Sequence, residues 1–413
     1  MSRAHEWASD VIRHRDPEEP TGPGLDRGLP GVALLLNEVS GSDPTSRKTA
    51  HDLLVRAARN ASSEKSRLGL HTGLGGLAFA VKHAAASPRH YAVLRERIDT
   101  ALRAGLAPLL DTERARASEG RPGTSRHCFD VISGVSGLGR YFLAEPRDAD
   151  AVRDILGYLV SLTEPVRLDG QWLPGWYSLG WEENEDAVLD LGLSHGAAGP
   201  LALLSLSLIH GIRVPDQDTA ISRLAEWLMK WRQGGDEEGP WWPSMVSSVE
   251  ERTPSPLRAA HRRSAWCYGT AGVARALQLA GLALGKEEWT RSAEEGIRGV
   301  FLHPAGLRDV QDPGLCHGVA GVMQVAARMA EDLGDGWLAS RAAELSVRVC
   351  DRFDPDSSFG FPTAPVPPVR TRPLDSLGFL EGAAGVVLAL RHQVAPDRTD
   401  GGGLGWDSAL LLR

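Results

Sequence analysis

Four cysteines in 413 residues are too few to form a disulfide framework in a chain of this length. Basic residues are outnumbered, 45 Lys and Arg against 53 Asp and Glu, for a formal net charge of -8. No basic stripe is therefore available to neutralise phosphates, which argues against a nucleic-acid binder. No apolar run reaches the roughly 18–20 residues of a membrane span; the best, around Leu201–Ile209, is far shorter. The first residues, with Glu6, Asp10, Asp16, Glu18 and Glu19, lack the apolar core of a signal peptide. What remains is a globular composition, 42% hydrophobic and 24% charged. These absences predict a cytoplasmic protein.

What the chain has in abundance is glycine, in a pattern. A Gly-x-x-Gly followed by an apolar run recurs at Gly28, Gly73, Gly134, Gly196, Gly269, Gly318 and Gly382, spaced by 45, 61, 62, 73, 49 and 64 residues. Each run is rich in Ala, Leu and Val, reads as a helix of ten or more residues, and is apolar all round, as buried helices are. Amphipathic helices are predicted between them over roughly 46–60, 89–116, 147–163, 216–233, 286–302 and 335–352, with residues 3–14 as a seventh. Alternating inner and outer helices build either an open solenoid or a closed α/α ring. The last run, FLEGAAGVVLALR, is as apolar as the middle ones rather than a polar cap. An all-α closed toroid is the expectation, with residues 1–413 as a single domain. Paired glycines at helix starts suit either close packing of the helix N-termini or room for a ligand above them.

In register, the two residues before each glycine pair are Asp26-Arg27, His71-Thr72, Ile132-Ser133, Ser194-His195, Cys267-Tyr268, Cys316-His317 and Leu380-Glu381. Equivalent positions in a ring face a common centre, so Cys267, Cys316 and His317 are expected to cluster. Two thiolates and an imidazole with a fourth position open is the pattern of a catalytic zinc site. His195 holds the register of His317; Asp130 and Arg263 each lie four residues ahead of a repeat landmark, at the same ring end. His71 is expected to be structural, and Cys128 and Cys350 to be ordinary thiols. The long stretches 168–186 and 234–262 carry Trp172, Trp176, Trp181, Trp241 and Trp242, which suit either a peptide-binding rim or loops pinned to the outer helices.

The triplet LSHGAAG, WCYGTAG and LCHGVAG resembles the lanthionine synthetase C-like family, the cyclases of lanthipeptide biosynthesis, across essentially the whole chain. The resemblance implies a double α-ring of seven inner and seven outer helices. It implies zinc on Cys267, Cys316 and His317, catalytic roles for His195, Asp130 and Arg263, and a matching Tyr268. It further implies a dehydrated lanthipeptide precursor as substrate, a separate dehydratase and a transporter as partners, and at most peripheral attachment to a membrane. The first repeat begins at Gly28, so no dehydratase domain is expected ahead of it. Any small domain between repeats two and three is expected to be short or absent, because helix 89–116 uses most of that spacing. Two other readings compete. A zinc-dependent protein prenyltransferase would use Asp, Cys and His as ligands. A non-catalytic, thiol- or glutathione-binding scaffold would not need Asp130, His195 and Arg263 together.

Overall fold

The structure is a computed structural model that describes residues 22–41, 43–61, 67–121, 123–168, 170–178, 188–235, 239–253, 262–364, 374–395 and 404–413. The expected helix 3–14 and Trp181 lie outside these residues. Each glycine motif opens a buried helix: α1 (Leu29–Ser40), α3 (Leu74–His83), α5 (Val135–Phe142), α7 (Ala198–Ile209), α9 (Thr270–Leu284), α11 (Val319–Leu333) and α13 (Ala383–Val394). Between them run the outer helices α2 (Pro44–Ala61), α4 (Ala92–Ser118), α6 (Ala149–Leu162), α8 (Gln217–Lys230), α10 (Glu287–Leu302) and α12 (Gly336–Cys350). The outer helices bury one stripe each; in α12 the buried residues are Leu338, Ala342, Leu345 and Val349. Helix α5 has eight residues, fewer than expected, and the chain turns into Pro146 within four residues of its end. Among the described residues, four three-residue strands form two small antiparallel ribbons, β1 (Val166–Leu168) with β2 (Gln171–Leu173) and β3 (Val188–Asp190) with β4 (Met245–Ser247).

Each inner helix packs against the next, and α13 packs against α1, so the ring closes. The loops before the glycine pairs close it a second time, through backbone hydrogen bonds. Asp26 N donates to His71 O at 3.0 Å, His71 N to Ile132 O at 3.0 Å and Val131 N to Ser194 O at 2.9 Å. The chain of bonds continues from Ser194 N to Cys267 O at 3.3 Å, Cys267 N to Cys316 O at 3.1 Å and Cys316 N to Leu380 O at 2.9 Å. Phe379 N donates to Asp26 O at 2.8 Å and completes the circle.

The glycines make this girdle possible by closeness. In each repeat the loop folds back over its own helix start; a Cβ on Gly321 would lie 1.9 Å from Leu315 O, and one on Gly318 would lie 2.4 Å from Asp312 O. Gly31, Gly137, Gly272 and Gly385 meet a carbonyl in the same way. Close packing is therefore the reason for the pairs.

Inside the ring sits the segment 404–413. Arg140 of α5 donates to Arg413 O at 2.6 Å, Arg275 of α9 to Leu412 O at 2.9 Å, and Trp266 Nε1 to Leu410 O at 3.0 Å. Asp407, fully buried, accepts from Gln324 at 2.8 Å and from Arg328 of α11. Burial opposes its ionisation, but the Arg328 and Arg413 guanidiniums outweigh burial and hold the carboxyl well below its usual range. No helix among the described residues is long and apolar enough to cross a membrane.

Gly321→Ala is expected to destabilise the fold by about 1–3 kcal/mol, because the carbonyl in its way is backbone. Gly157→Ala, on the exposed side of α6 with nothing near its Cβ, is expected to be neutral or to stabilise by up to ~1 kcal/mol. Chemical denaturation of the two variants beside the parent protein checks both.

Candidate metal centre

The bond from Cys267 N to Cys316 O lays the fifth and sixth loops edge to edge, so residues 49 apart in sequence become neighbours. One ligand atom each from Cys267, Cys316 and His317 lies within 4.8 Å of the others. Cys267 is buried, and Cys316 and His317 are half-buried at the rim. Ligand bonds of about 2.0–2.3 Å around a tetrahedral ion place donors less than about 4 Å apart, so a small contraction brings these three to that spacing. The soft donor set suits zinc over the hard cations.

The surroundings favour an anionic sulfur at Cys267. The Cys316 thiol bonded to Cys267 is the largest influence drawing the Cys267 thiol down; burial opposes it, and His317 and Arg263 reinforce it. Cys316 is pushed up in turn, because the pair shares a proton. Asp312 Oδ2 stands 3.4 Å from His317 Nε2 and, with Cys267, raises the His317 pKa to about 10. A carboxylate on Nε2 orients the ring and leaves Nδ1 for a metal. Glu381 lies 4.0 Å from that Nδ1.

Beside this trio stands a carboxylate–imidazole pair. A one-turn helix, Arg126–Phe129, ends at Asp130, which is fully buried. Asp130 Oδ1 accepts from Ser133 N and Gly134 N, both at 2.7 Å, which fixes the carboxylate against the start of α5. Its Oδ2 accepts from His195 Nδ1 at 2.6 Å, leaving Nε2 free of this bond. Burial works against the imidazolium, but the bond and charge of Asp130, with Asp190 adding, override it and raise the His195 pKa. The Tyr268 ring tilts against His195 with centroids 6.1 Å apart. Arg263 is half-exposed, 4.0 Å from Asp309, and its charge reaches Cys267.

His71 lies outside this chemistry. It is buried, donates from Nε2 to Ala409 O at 2.9 Å, and burial lowers its pKa to about 4, so it is a neutral strut. Cys128, whose thiol burial pushes up to about 11, and the exposed Cys350 are not in the cluster. Trp242 donates to Leu228 O at 2.8 Å and Trp176 packs edge-on to Trp227, so both pin loops to α8. Trp172 is 66% exposed and Trp241 half-buried. Asp190, Arg126, Asp312 and Glu381 were not singled out in the sequence. Asp190 and Asp312 do share a register with Arg263, six residues before the first glycine, where each carbonyl accepts from the start of an inner helix.

The family model for lanthionine synthetase C-like protein matches residues 19–411. The chain belongs to this family. Nisin biosynthesis protein NisC of Lactococcus lactis subsp. lactis is 22% identical over 378 residues, covering 89% of this chain and 84% of that protein. The solved structure of nisin cyclase superposes with a TM-score of 0.78 at 22% identity, over 99% of this chain and 95% of that one. The toroid is thus shared by a lanthionine synthetase C-like chain and a solved cyclase.

The His195 imidazole is expected to titrate above the ordinary value of about 6.5 in proton NMR. Asp130→Asn turns an amide N–H toward Nδ1, which removes the acceptor and the charge, so the midpoint should fall below that of the parent. An unchanged midpoint would show that Asp130 does not govern this imidazole.

Proposed function

We propose that this protein is a zinc-dependent lanthipeptide cyclase, joining peptide cysteine thiols to dehydroalanine and dehydrobutyrine as lanthionine and methyllanthionine. The observation that carries the reading is the placing of a Cys-Cys-His trio beside the Asp130–His195 pair on one rim, in a lanthionine synthetase C-like chain. A non-catalytic thiol-binding scaffold would have no use for a buried carboxylate spent on orienting one rim imidazole. The similarity to nisin cyclase points the same way.

Cys267, Cys316 and His317 would hold the zinc, with Asp312 orienting the imidazole. When bound, zinc supplies the Lewis acidity that ionises a thiol near neutral pH, where a free thiol with a pKa near 8.5 is mostly protonated. In the addition one C–S bond forms and the C=C bond becomes single. The thiol loses a proton, and the α-carbon of the resulting enolate gains one. His195 is suited to deliver that proton: Asp130 keeps its Nδ1–H bonded and favours the imidazolium, which leaves Nε2–H as the donor. Arg263, whose charge acts on Cys267, would stabilise the enolate oxygen. Tyr268 walls the imidazole.

The substrate we infer is a dehydrated precursor peptide, with its dehydroamino acids made by a separate dehydratase and its product passed to a transporter. The setting is cytoplasmic, with any membrane contact peripheral.

His195→Asn should keep the metal and slow ring closure by roughly 10²–10⁴-fold, the range for a lost general acid. The Cys267→Ala, Cys316→Ala pair should lose the metal, leaving slow closure with poor stereocontrol. Mass spectrometry of a dehydrated, cysteine-containing peptide after thiol alkylation reads both. Undiminished closure by His195→Asn would remove His195 from proton transfer, and zinc held at one ion per chain by the double variant would remove the trio from metal binding.

A further inference from the structure

Three large apolar side chains stand exposed on neighbouring elements: Trp172 at 66%, Val249 at 53% and Met245 at 43%. Trp172 is the middle residue of β2, which packs against a short helix, Ser248–Arg252. That helix carries Val249 and follows directly on β4, whose first residue is Met245. Beside Trp172 lies a groove of about 440 Å³, lined by Pro165, Pro174, Trp176 and Trp227. Apolar surface gathered in this way marks a place where something binds.

Two polar features of the groove are left over. Arg223 is bonded to Glu164, and Lys230 donates to Glu251 at 2.6 Å. Glu226, exposed one turn of α8 from each, has no partner among the described residues. Trp176 is 4% exposed, and its indole N–H has no acceptor among the described residues, which is a costly state. The groove is also continuous with the rim that holds the chemistry. Two residues beyond Trp176, Ser178 exchanges backbone hydrogen bonds with Val188 of β3 at 2.9 and 3.0 Å. At the other end of β3, Asp190 pairs with Met245, and its carbonyl accepts from Ala197 N at 2.9 Å within the loop that carries His195.

We infer that this surface docks an extended stretch of the substrate peptide that lies outside the ring being closed. That stretch carries an apolar or proline side chain for Trp172 and a lysine or arginine for Glu226, and it offers a backbone carbonyl to the Trp176 N–H. An aromatic, proline-lined groove with an N–H donor suits an extended peptide, whose carbonyls are unpaired. The unpaired carboxylate sets the sign of the charge, since an acidic residue there would meet repulsion. Naming the peptide as substrate rests on the cyclase reading; the preference of the groove for an apolar, basic strand does not.

Two fluorescein-labelled decapeptides of proline, leucine and serine, one with a central pair of lysines and the other with glutamates there, test the groove by fluorescence anisotropy. The lysine peptide should bind the parent protein more tightly. Trp172→Ser should weaken it about 10-fold, as the loss of an aromatic anchor does. Glu226→Lys should reverse the preference in favour of the glutamate peptide. Both substitutions fall on exposed side chains, so the fold is kept. Equal affinity for the two peptides, or a Trp172→Ser variant that binds as the parent does, would overturn the inference. So would a Trp172-dependent dimer in sedimentation, or Trp172-dependent binding to phosphatidylcholine vesicles, with neither peptide bound. In a second arm the lysine decapeptide is joined to a peptide with one dehydroalanine and one cysteine. Trp172→Ser should then raise KM about 10-fold, the loss falling on KM rather than kcat. An unchanged KM would overturn docking of the substrate. Binding of the lysine peptide without any ring closure by the parent protein would leave the groove standing and count against the cyclase reading.

Discussion

The seven backbone hydrogen bonds that run once round the rim are the constraint on which the site depends. A helical ring held only by side-chain packing tolerates sliding of one helix past the next. Hydrogen bonds between consecutive loops do not, because each N–H must meet the carbonyl of one particular neighbour. The girdle passes through Asp26, His71, Ile132, Ser194, Cys267, Cys316 and Leu380, and so fixes the register at which the side chains of neighbouring repeats meet. Two of those positions are cysteine, and their adjacency in the girdle is what brings their sulfurs together. The glycines serve the same end, since a Cβ on Gly321 or Gly385 would strike a loop carbonyl and push the girdle off the helix starts.

A ring of helices leaves an axis to fill, and this chain fills it with its own segment 404–413. The inner helices are almost free of charge, yet Arg140, Arg275 and Arg328 are buried within them. Each finds its partner on that segment, through the carbonyls of Leu412 and Arg413 or the carboxylate of Asp407. Buried guanidiniums without partners would be costly, so the segment and the ring need each other. His71 ties the girdle to the axial segment: its backbone belongs to the girdle, while its side chain holds Ala409.

Much of this was legible in the sequence, because glycine pairs followed by apolar runs state both where inner helices begin and that they are buried. Aligning the two residues before each pair placed Cys267, Cys316, His317 and His195 at one rim, since register in sequence is register in a ring. Asp190 and Asp312 escaped that alignment. They stand six residues ahead of the glycine, and only the folded-back loop shows that a position so far upstream lies over the helix start. The axial segment escaped for another reason: ten residues of mixed character carry no periodicity, and the arginines that receive them look anomalous until the partner is seen. The brevity of α5 follows from Pro146, a local signal outweighed by the apolar run before it. Trp176 and Trp242 proved to pin loops, which composition alone could not separate from a binding rim.

The central claim is that the girdle assembles a thiol-accepting metal centre from two neighbouring repeats. Zinc-edge X-ray absorption of the protein, before and after addition of a cysteine-containing peptide, tests it most directly. The account predicts two sulfurs and one nitrogen with a light fourth ligand, changing to three sulfurs and one nitrogen when the peptide is added. A shell without two protein sulfurs, or one that the peptide thiol leaves unchanged, would contradict it.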